Sequence, residues 1–297
     1  MAIMETARLE GWNAQFTVYS RDPLKHLAVK KLFPNAAVIV GSILDYDGLL
    51  RAMTGHDTVI HAAANKHILR CEAQPSEAVS TNVVGSQNVA WAAINARVQH
   101  VVGVSTDKAA YPINAYGATK KLMEHIFFEY DGFSDTEFHL CRYGNVLGSN
   151  GSVVQLWERQ AAETGEITVT DPQMTRFWLT ERQAVGLIEE SLRSPCMVVP
   201  ALPACTMADM ASWYAADRGV RTREIGARPG ERQHECLLTR EEAERAFMAD
   251  GMFYYYPARP EDKKRPYADT GYWSNQPHEW LSADRLIGMI NECANMR

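Results

Sequence analysis

The sequence predicts an α/β protein built on a doubly wound parallel sheet, with a smaller C-terminal lobe. Three observations carry this. Short apolar runs alternate with helical stretches through the first half of the chain, as strands paired in parallel with helices on both faces require. Polar and chemically active residues fall just after the apolar runs, where parallel sheets bind ligands. After about Gly151 the alternation loosens, and prolines and aromatics cluster among short strands and helices. At 297 residues, with 46% hydrophobic and 22% charged side chains, the chain suits one large domain, or a domain and a lobe.

Taken in order, Met1 to Gly11 is helical in character and stops at a glycine. Phe16 to Tyr19 is a short β-prone run, followed by Ser20, Arg21 and Asp22. Lys25 to Phe33 reads as a helix stopped by Pro34. Ala37 to Val40 is a strand leading to Gly41, Ser42 and Ile43, and Asp47 to Thr54 is a helix. Asp57 to Ala64 reads as a buried strand running into a small-residue turn. Glu77 to Ala96 has the period of one long helix, and His100 to Val104 is the next strand. Ala115 to Tyr130 is an amphipathic helix and Glu137 to Tyr143 another strand. Helices over Glu181–Leu192 and Met207–Asp217 fall in the second half. The soft division this implies is 1–150 for the sheet domain and 151–297 for the lobe, interleaved with the end of the sheet.

Composition excludes several classes. A net charge of −6 argues against wholesale nucleic-acid or membrane binding. No apolar run approaches the roughly 20 residues of a membrane span, and no signal peptide is expected. The six cysteines form no C-x-x-C pair, which suits free thiols in a reducing cytoplasm. The nine histidines show no H-E-x-x-H spacing, so no metal site is expected.

The most informative stretch runs from Ser105-Thr106-Asp107-Lys108 to Tyr116-Gly117-Ala118-Thr119-Lys120. Tyr116 and Lys120 are four apart, so on a helix they share one face. A lysine ammonium there favours the phenolate and lowers the tyrosine pKa from about 10. Such a tyrosine can take a proton from a hydroxyl as a hydride leaves the carbon. After the preceding strand, Ser20 and Arg21 offer a hydroxyl and a guanidinium, a pair that suits a 2′-phosphate.

This arrangement resembles the extended short-chain dehydrogenase/reductase superfamily. Within it the chain is most similar to nucleotide-sugar 4,6-dehydratases acting on UDP-N-acetylglucosamine, of the inverting, polysaccharide-biosynthesis type. The resemblance implies a Rossmann-like sheet domain and a substrate lobe. It also implies NADP as the cofactor, with NAD the alternative, since Ser20-Arg21-Asp22 is similar to the family's S-R-D. Ser42 and Ile43 stand where relatives carry Asp and an aliphatic residue against adenine. Ala62-Ala63-Ala64-Asn65-Lys66-His67 resembles A-A-x-K-H, whose small residues let the backbone lie against cofactor while Lys66 reaches ribose or substrate. Thr81-Asn82 resembles a helix T-N that contacts cofactor and supports the active-site strand. Tyr116 and Lys120 complete the expected cofactor set.

Asp107-Lys108 resembles the acid/base pair of the inverting enzymes. By that resemblance Tyr116 deprotonates the C4 hydroxyl and Thr106 hydrogen-bonds near O4. Lys108, made neutral by burial, removes the C5 proton. Asp107 protonates the departing C6 hydroxyl. Arg142 to Val153 resembles R-Y-G-N-V-x-G-S-R-G-S-V, with Asn145 and Val153 expected at the substrate and Asn150 in place of the usual arginine. Thr170-Asp171-Pro172 … Trp178 resembles T-D-P-x-M-T-R-F-W and places Thr170 beside the nucleotide. Arg228-Pro229-Gly230-Glu231 … His234-Glu235 resembles R-P-G-E-K-x-H-E. There Arg228 is expected at the diphosphate and Glu231 at ribose hydroxyls.

One departure is large. Dinucleotide folds open with a strand and a G-x-x-G-x-x-G turn that cradles a pyrophosphate. Met1 to Trp12 matches the helix after that turn, so the first strand and glycine loop are missing from the sequence given. A late start, or a degenerate protein with a weak cofactor grip, are the two readings. The activity expected from the resemblance is conversion of UDP-N-acetylglucosamine to a UDP-4-keto-6-deoxy sugar, inverting at C5. A UDP-sugar 4-epimerase, a 5,6-dehydratase and a non-catalytic nucleotide-sugar-binding homologue are the rivals. A cytoplasmic homo-oligomer, a dimer or larger, is expected, with no nucleic-acid or membrane partner.

Overall fold

A computed structural model describes residues 1–149, 151–257, 267 and 270–295. The chain falls into two compact units. The first comprises Met1–Ser105, Asn114–Cys141 and Ile188–Met197, and the second Thr106–Ile113, Arg142–Leu187 and Val198–Arg297.

The first unit is a parallel α/β assembly. A helix over Ala2–Glu10 ends at Gly11, whose φ of 70° is the left-handed cap glycine adopts without strain. Strand β1 (Thr17–Ser20) runs parallel to β2 (Ala37–Val40), with Thr17 opposite Ala37. The helix between them, Pro23–Leu32, starts on Asp22, whose carboxylate accepts from the amides of Leu24 and Lys25. It begins two residues earlier than its apolar pattern suggests because Asp22-Pro23 is a ready-made N-terminus. Met4, Val29 and Ala36 form a small core here, with Phe16, Val18, Phe33 and Val38 packed on it.

Strand β3 (Thr58–His61) runs parallel to β4 (His100–Thr106), with Thr58 opposite His100 and His61 opposite Gly103. Only His61 of β3 is fully buried, so this strand is less covered than its apolar run suggests. No strand precedes the first helix among the described residues, and β1 there pairs with β2 alone. Val101 and Val102 of β4 are fully buried. A Cβ on Gly103 would meet Phe127 at 2.6 Å and Leu140 at 2.8 Å, so the glycine admits these two side chains against the strand. Phe127 belongs to the helix Ala115–Tyr130, and Leu140 to strand β5 (Glu137–Tyr143).

The single helix expected over Glu77–Ala96 is interrupted. Pro75–Val79 and Gly85–Ala96 are α-helical, and Ser80–Val84 between them is a π turn, closed by the Gly85 amide on the Ser80 carbonyl. A π turn adds one residue without breaking the apolar stripe, so periodicity alone reads straight through it.

The second unit mixes strand directions. Thr175–Leu179 pairs in parallel with Asn145–Val146 and antiparallel with Ala204–Thr206. Glu166–Val169 is parallel to Arg221–Glu224, and Cys236–Leu238 is antiparallel to Tyr272–Trp273. A hairpin joins Ala246–Ala249 to Met252–Tyr255 through Asp250 and Gly251, both at positive φ as a two-residue turn needs. Trp157, Ile167, Tyr214 and Leu286 are at the centre of the core, where the helices Val153–Thr164, Met207–Arg218 and Ala283–Asn295 contribute. Asn150 lies outside the described residues.

Candidate active site

In the second unit the strand end at Thr106 passes directly into a single helical turn, Asp107–Ala110. The Thr106 hydroxyl donates to Asp107 Oδ1 at 2.9 Å. Lys108 Nζ donates to the same oxygen at 2.9 Å and lies 3.2 Å from Glu235 Oε1. Arg176 Nε is 3.7 Å from that Glu235 oxygen. Asp107, Lys108, Glu235 and Arg176 thus alternate in charge. Glu235 is held from behind, its amide donating to Ser274 Oγ at 2.8 Å.

Burial and neighbours set the protonation of this cluster. Burial pushes Asp107 above the usual carboxylate range, with Glu235 adding to the shift and Lys108 opposing it. Burial works against the Lys108 ammonium, but Asp107 and Glu235 together outweigh it and hold Lys108 above the usual lysine range. Glu235 is lowered because Lys108 and Arg176 overcome its own burial. The local neutrality expected for Lys108 is therefore not its resting state: two carboxylates keep the proton on the amine. The other oxygen of Asp107, Oδ2, is buried and has no hydrogen-bond partner among the described residues. An oxygen in that position is costly to leave alone.

In the first unit Tyr116 and Lys120 lie one turn apart on the helix Ala115–Tyr130, as their spacing requires. Asn114 starts this helix by accepting from the Gly117 amide at 2.8 Å. Lys120 is buried, and its Nζ donates to the Val104 carbonyl at 2.7 Å. Burial lowers its pKa to about 8, with Glu124 opposing. Glu124 is held by Ser105, whose hydroxyl donates to it at 2.6 Å.

Asn82 sits inside the π turn and is buried. Its Oδ1 accepts from the Asn65 amide at 2.7 Å, while its Nδ2 donates to the Asn65 carbonyl at 3.0 Å and to Thr119 Oγ1 at 2.9 Å. It ties the Ala62–His67 turn to the Tyr116 helix. Thr81 beside it is half-buried. Ala62 and Ala63 are exposed at the carboxyl end of β3 and Ala64 is half-buried. Burial of part of its side chain, then the charge of Lys25, lower Lys66 below the usual lysine range. Arg21 is exposed after β1, while the Ser20 hydroxyl is engaged 2.8 Å from His26 Nε2. Ser42 caps its own turn, its Oγ accepting from Leu44, and Ile43 packs against Gly85 so closely that a Cβ there would lie 2.5 Å away.

The remaining expected residues are dispersed within the second unit. Asn145 and half-buried Val153 follow β5, and Val153 packs on the core. Thr170 Oγ1 donates to Met174 Sδ at 3.8 Å. Arg228 and Glu231 face each other across their turn, Nη1 to Oε1 3.9 Å, and the Arg228 amide donates to Glu231. A cleft of about 500 Å³ opens beside this segment, with Arg232, His234 and Trp273 in its wall. The Arg232 guanidinium lies 4.9 Å from the Tyr111 ring centroid and 5.9 Å from that of Trp273. The resemblance takes in the segment containing Glu235 but gives that residue no part, and it gives none to Arg232. The one available signal was an acid next to a histidine in a polar turn.

The family described as polysaccharide biosynthesis protein matches residues 13–256. An inverting UDP-N-acetylglucosamine 4,6-dehydratase of Campylobacter jejuni is 34% identical over 300 residues, covering 92% of this chain and 88% of that protein. A UDP-glucose 4-epimerase of Rickettsia akari is 38% identical over 252 residues, covering 82% and 73%. The X-ray structure of Pen from Bacillus thuringiensis is similar with a TM-score of 0.88 and 33% identity, over 99% of this chain and 93% of that one.

Proposed function

The chain belongs to the polysaccharide biosynthesis protein family of the extended short-chain dehydrogenase/reductases, and from that premise we propose that it is a UDP-N-acetylglucosamine 4,6-dehydratase inverting at C5. The observation that carries this is the Asp107–Lys108 pair, with Nζ and Oδ1 2.9 Å apart and Oδ2 left over. An epimerase needs to oxidise and re-reduce C4, and neither step uses a second acid and base. A dehydratase needs both.

The cofactor assigned is NADP, with NAD the alternative. Exposed Ala62 and Ala63 after β3 and exposed Arg21 after β1 fit a dinucleotide whose phosphate-bearing ribose meets the guanidinium. Ser42, Ile43, Thr81 and Asn82 are assigned to the same group. When bound, it would accept a hydride from C4 of the sugar and return it at C6, with a solvent-exchangeable proton added at C5. Tyr116 takes the C4 hydroxyl proton, and Lys120, charged below about pH 8, favours its phenolate. Thr106 hydrogen-bonds near O4. The 4-ketone makes the C5 proton acidic. Lys108 removes it after passing its own proton to Asp107 across the 2.9 Å bond, a transfer favoured by the raised pKa of Asp107 and opposed by that of Lys108. That one transfer arms both partners, because Asp107 then holds the proton that leaves with the C6 hydroxyl as water. Residues 1–150 are assigned mainly to cofactor and 151–297 mainly to substrate. Lys66, Asn145, Val153, Thr170, Arg228 and Glu231 are assigned to the UDP-sugar.

Incubation with UDP-N-acetylglucosamine and NADP in deuterated water, followed by NMR, tests the reading. A C6 methyl group with deuterium at C5 is expected, and NAD in place of NADP should support it less well. Lys108→Ala should reduce elimination by about 10²–10⁴-fold while C4 oxidation stays detectable. Elimination at the parent rate in that variant overturns the base assignment. C4 inversion without loss of water would instead favour a 4-epimerase, the reading supported by the Rickettsia relative. Elimination across C5 and C6 without reduction at C6 would mark a 5,6-dehydratase. Nucleotide binding without turnover would mark a non-catalytic homologue. The assigned location is the cytoplasm and the assigned state a homo-oligomer. No described helix is long and apolar enough to cross a membrane.

A further inference from the structure

Three side chains at the amino ends of β4 and β5 converge without any part in the proposed chemistry. His100 opens β4, Glu137 opens β5, and His139 follows two residues later on the same face of β5. His100 Nδ1 is 3.2 Å from His139 Nε2 and 3.3 Å from Glu137 Oε2, and His139 Nε2 is 3.6 Å from the same oxygen. These three atoms form a nearly equilateral triangle. A tetrahedral ion with ligand bonds of about 2.0–2.1 Å needs donor atoms about 3.3 Å apart along each edge.

Hydrogen bonding alone leaves the triangle short of protons. His139 Nδ1 lies 3.1 Å from the Ser194 carbonyl, which can only accept, so Nδ1 carries the proton and Nε2 presents a lone pair. Glu137 presents lone pairs as a carboxylate. A neutral His100 can place one proton among the three atoms, and that proton can serve two of them. A cation serves all three. The carbonyl behind His139 is also the partner that orients metal-bound imidazole in many proteins. His139 is buried, while His100 is one-third exposed and Glu137 almost two-thirds, so the site opens to solvent and leaves a fourth position for water.

We propose that His100 Nδ1, His139 Nε2 and Glu137 Oε2 bind one divalent transition-metal ion, with zinc as the type. Two imidazoles and a carboxylate select zinc, cobalt, nickel or copper over magnesium or calcium, which prefer all-oxygen sites. The ion would clamp the starts of β4 and β5 to each other and, through His139, to the Ser194 turn. His100 lies five strand residues, about 16 Å, from Ser105, so the ion has no access to the end of β4 that leads into Thr106–Lys108. The six cysteines are free and buried, and none belongs to this group of ligand atoms.

The test uses the untagged 297-residue chain and zinc chloride. Isothermal titration should give one zinc per chain with a dissociation constant below about 10 μM, and zinc should raise the melting temperature. Replacement by cobalt should give the intense visible absorption of a tetrahedral site. His100→Ala and Glu137→Gln change side chains that reach solvent, and each should weaken zinc at least tenfold with the circular dichroism unchanged. Dehydratase turnover should be the same with zinc or with chelator. No zinc bound at 100 μM, or binding equal in the parent and both variants, overturns the site.

Discussion

At the scale of single residues, ionisation is where burial and neighbours compete most closely. The proposed base role of Lys108 requires a neutral amine, yet against the cost of burial Asp107 and Glu235 hold Lys108 above the usual lysine range. The charge of Glu235 is what distinguishes this arrangement from a simple Asp–Lys pair. Glu235→Gln removes an anion 3.2 Å from Nζ, so Lys108 becomes easier to deprotonate. The titration of Lys108, followed by NMR as a pH profile, should move to lower pH, while the Ser274 contact to the Glu235 backbone is retained. A profile that does not move would remove Glu235 from the tuning of this pair. The Asp107–Lys108 adjacency was legible in the sequence because the two are neighbours. Glu235, more than a hundred residues away, was not, because only folding brings it to Nζ.

At the scale of elements, the Tyr116 helix shows what a strong local pattern determines. Its bounds, Ala115 to Tyr130, follow from Asn114 as cap and from the apolar stripe, and both are local. The stretch of 75–96 shows the opposite case. Its π turn exists where Asn82 must reach both Asn65 and Thr119, a tertiary demand that no period reveals. Lys120 tests the helix energetically. Its pKa falls from an ordinary value of 10.5 to about 8 in the folded chain. Between those values the unfolded chain holds a proton that the folded chain has lost, so this residue makes stability rise with pH across that window. Below pH 8 both states are protonated and the full cost of burying the charge persists. Lys120→Met should therefore be more stable than the parent at pH 7, by about 1–3 kcal/mol, and the difference should shrink by pH 10. Chemical denaturation at the two pH values measures this. An equal difference at both would mean that Lys120 titrates as an ordinary lysine.

At the scale of the whole molecule, long-range ties decide which distant segments meet. Arg142 is fully buried and binds Glu242, 100 residues away, through two parallel hydrogen bonds of 2.7 and 2.9 Å. Its Nη1 also donates to the Leu237 carbonyl at 2.9 Å. Glu242 in turn completes the capping box on Thr239. Glu242→Gln keeps the cap but leaves a buried guanidinium without its counter-charge, and should cost about 3 kcal/mol or more. A loss below about 1 kcal/mol in urea denaturation would show that the charge is compensated elsewhere.

The sequence by itself determined the parallel α/β class, most strand and helix positions, and the Asp107–Lys108 and Tyr116–Lys120 pairs. All of these are set by residues within a few positions of one another, through side-chain period, caps and turn chemistry. Only the tertiary structure decided the charged surroundings of Lys108, the π turn at Asn82, the placement of Glu235 beside Lys108 and the triangle of His100, Glu137 and His139. Each of these depends on distances between atoms far apart in the chain. Charge coupling and burial act through space, and linear spacing carries no measure of either.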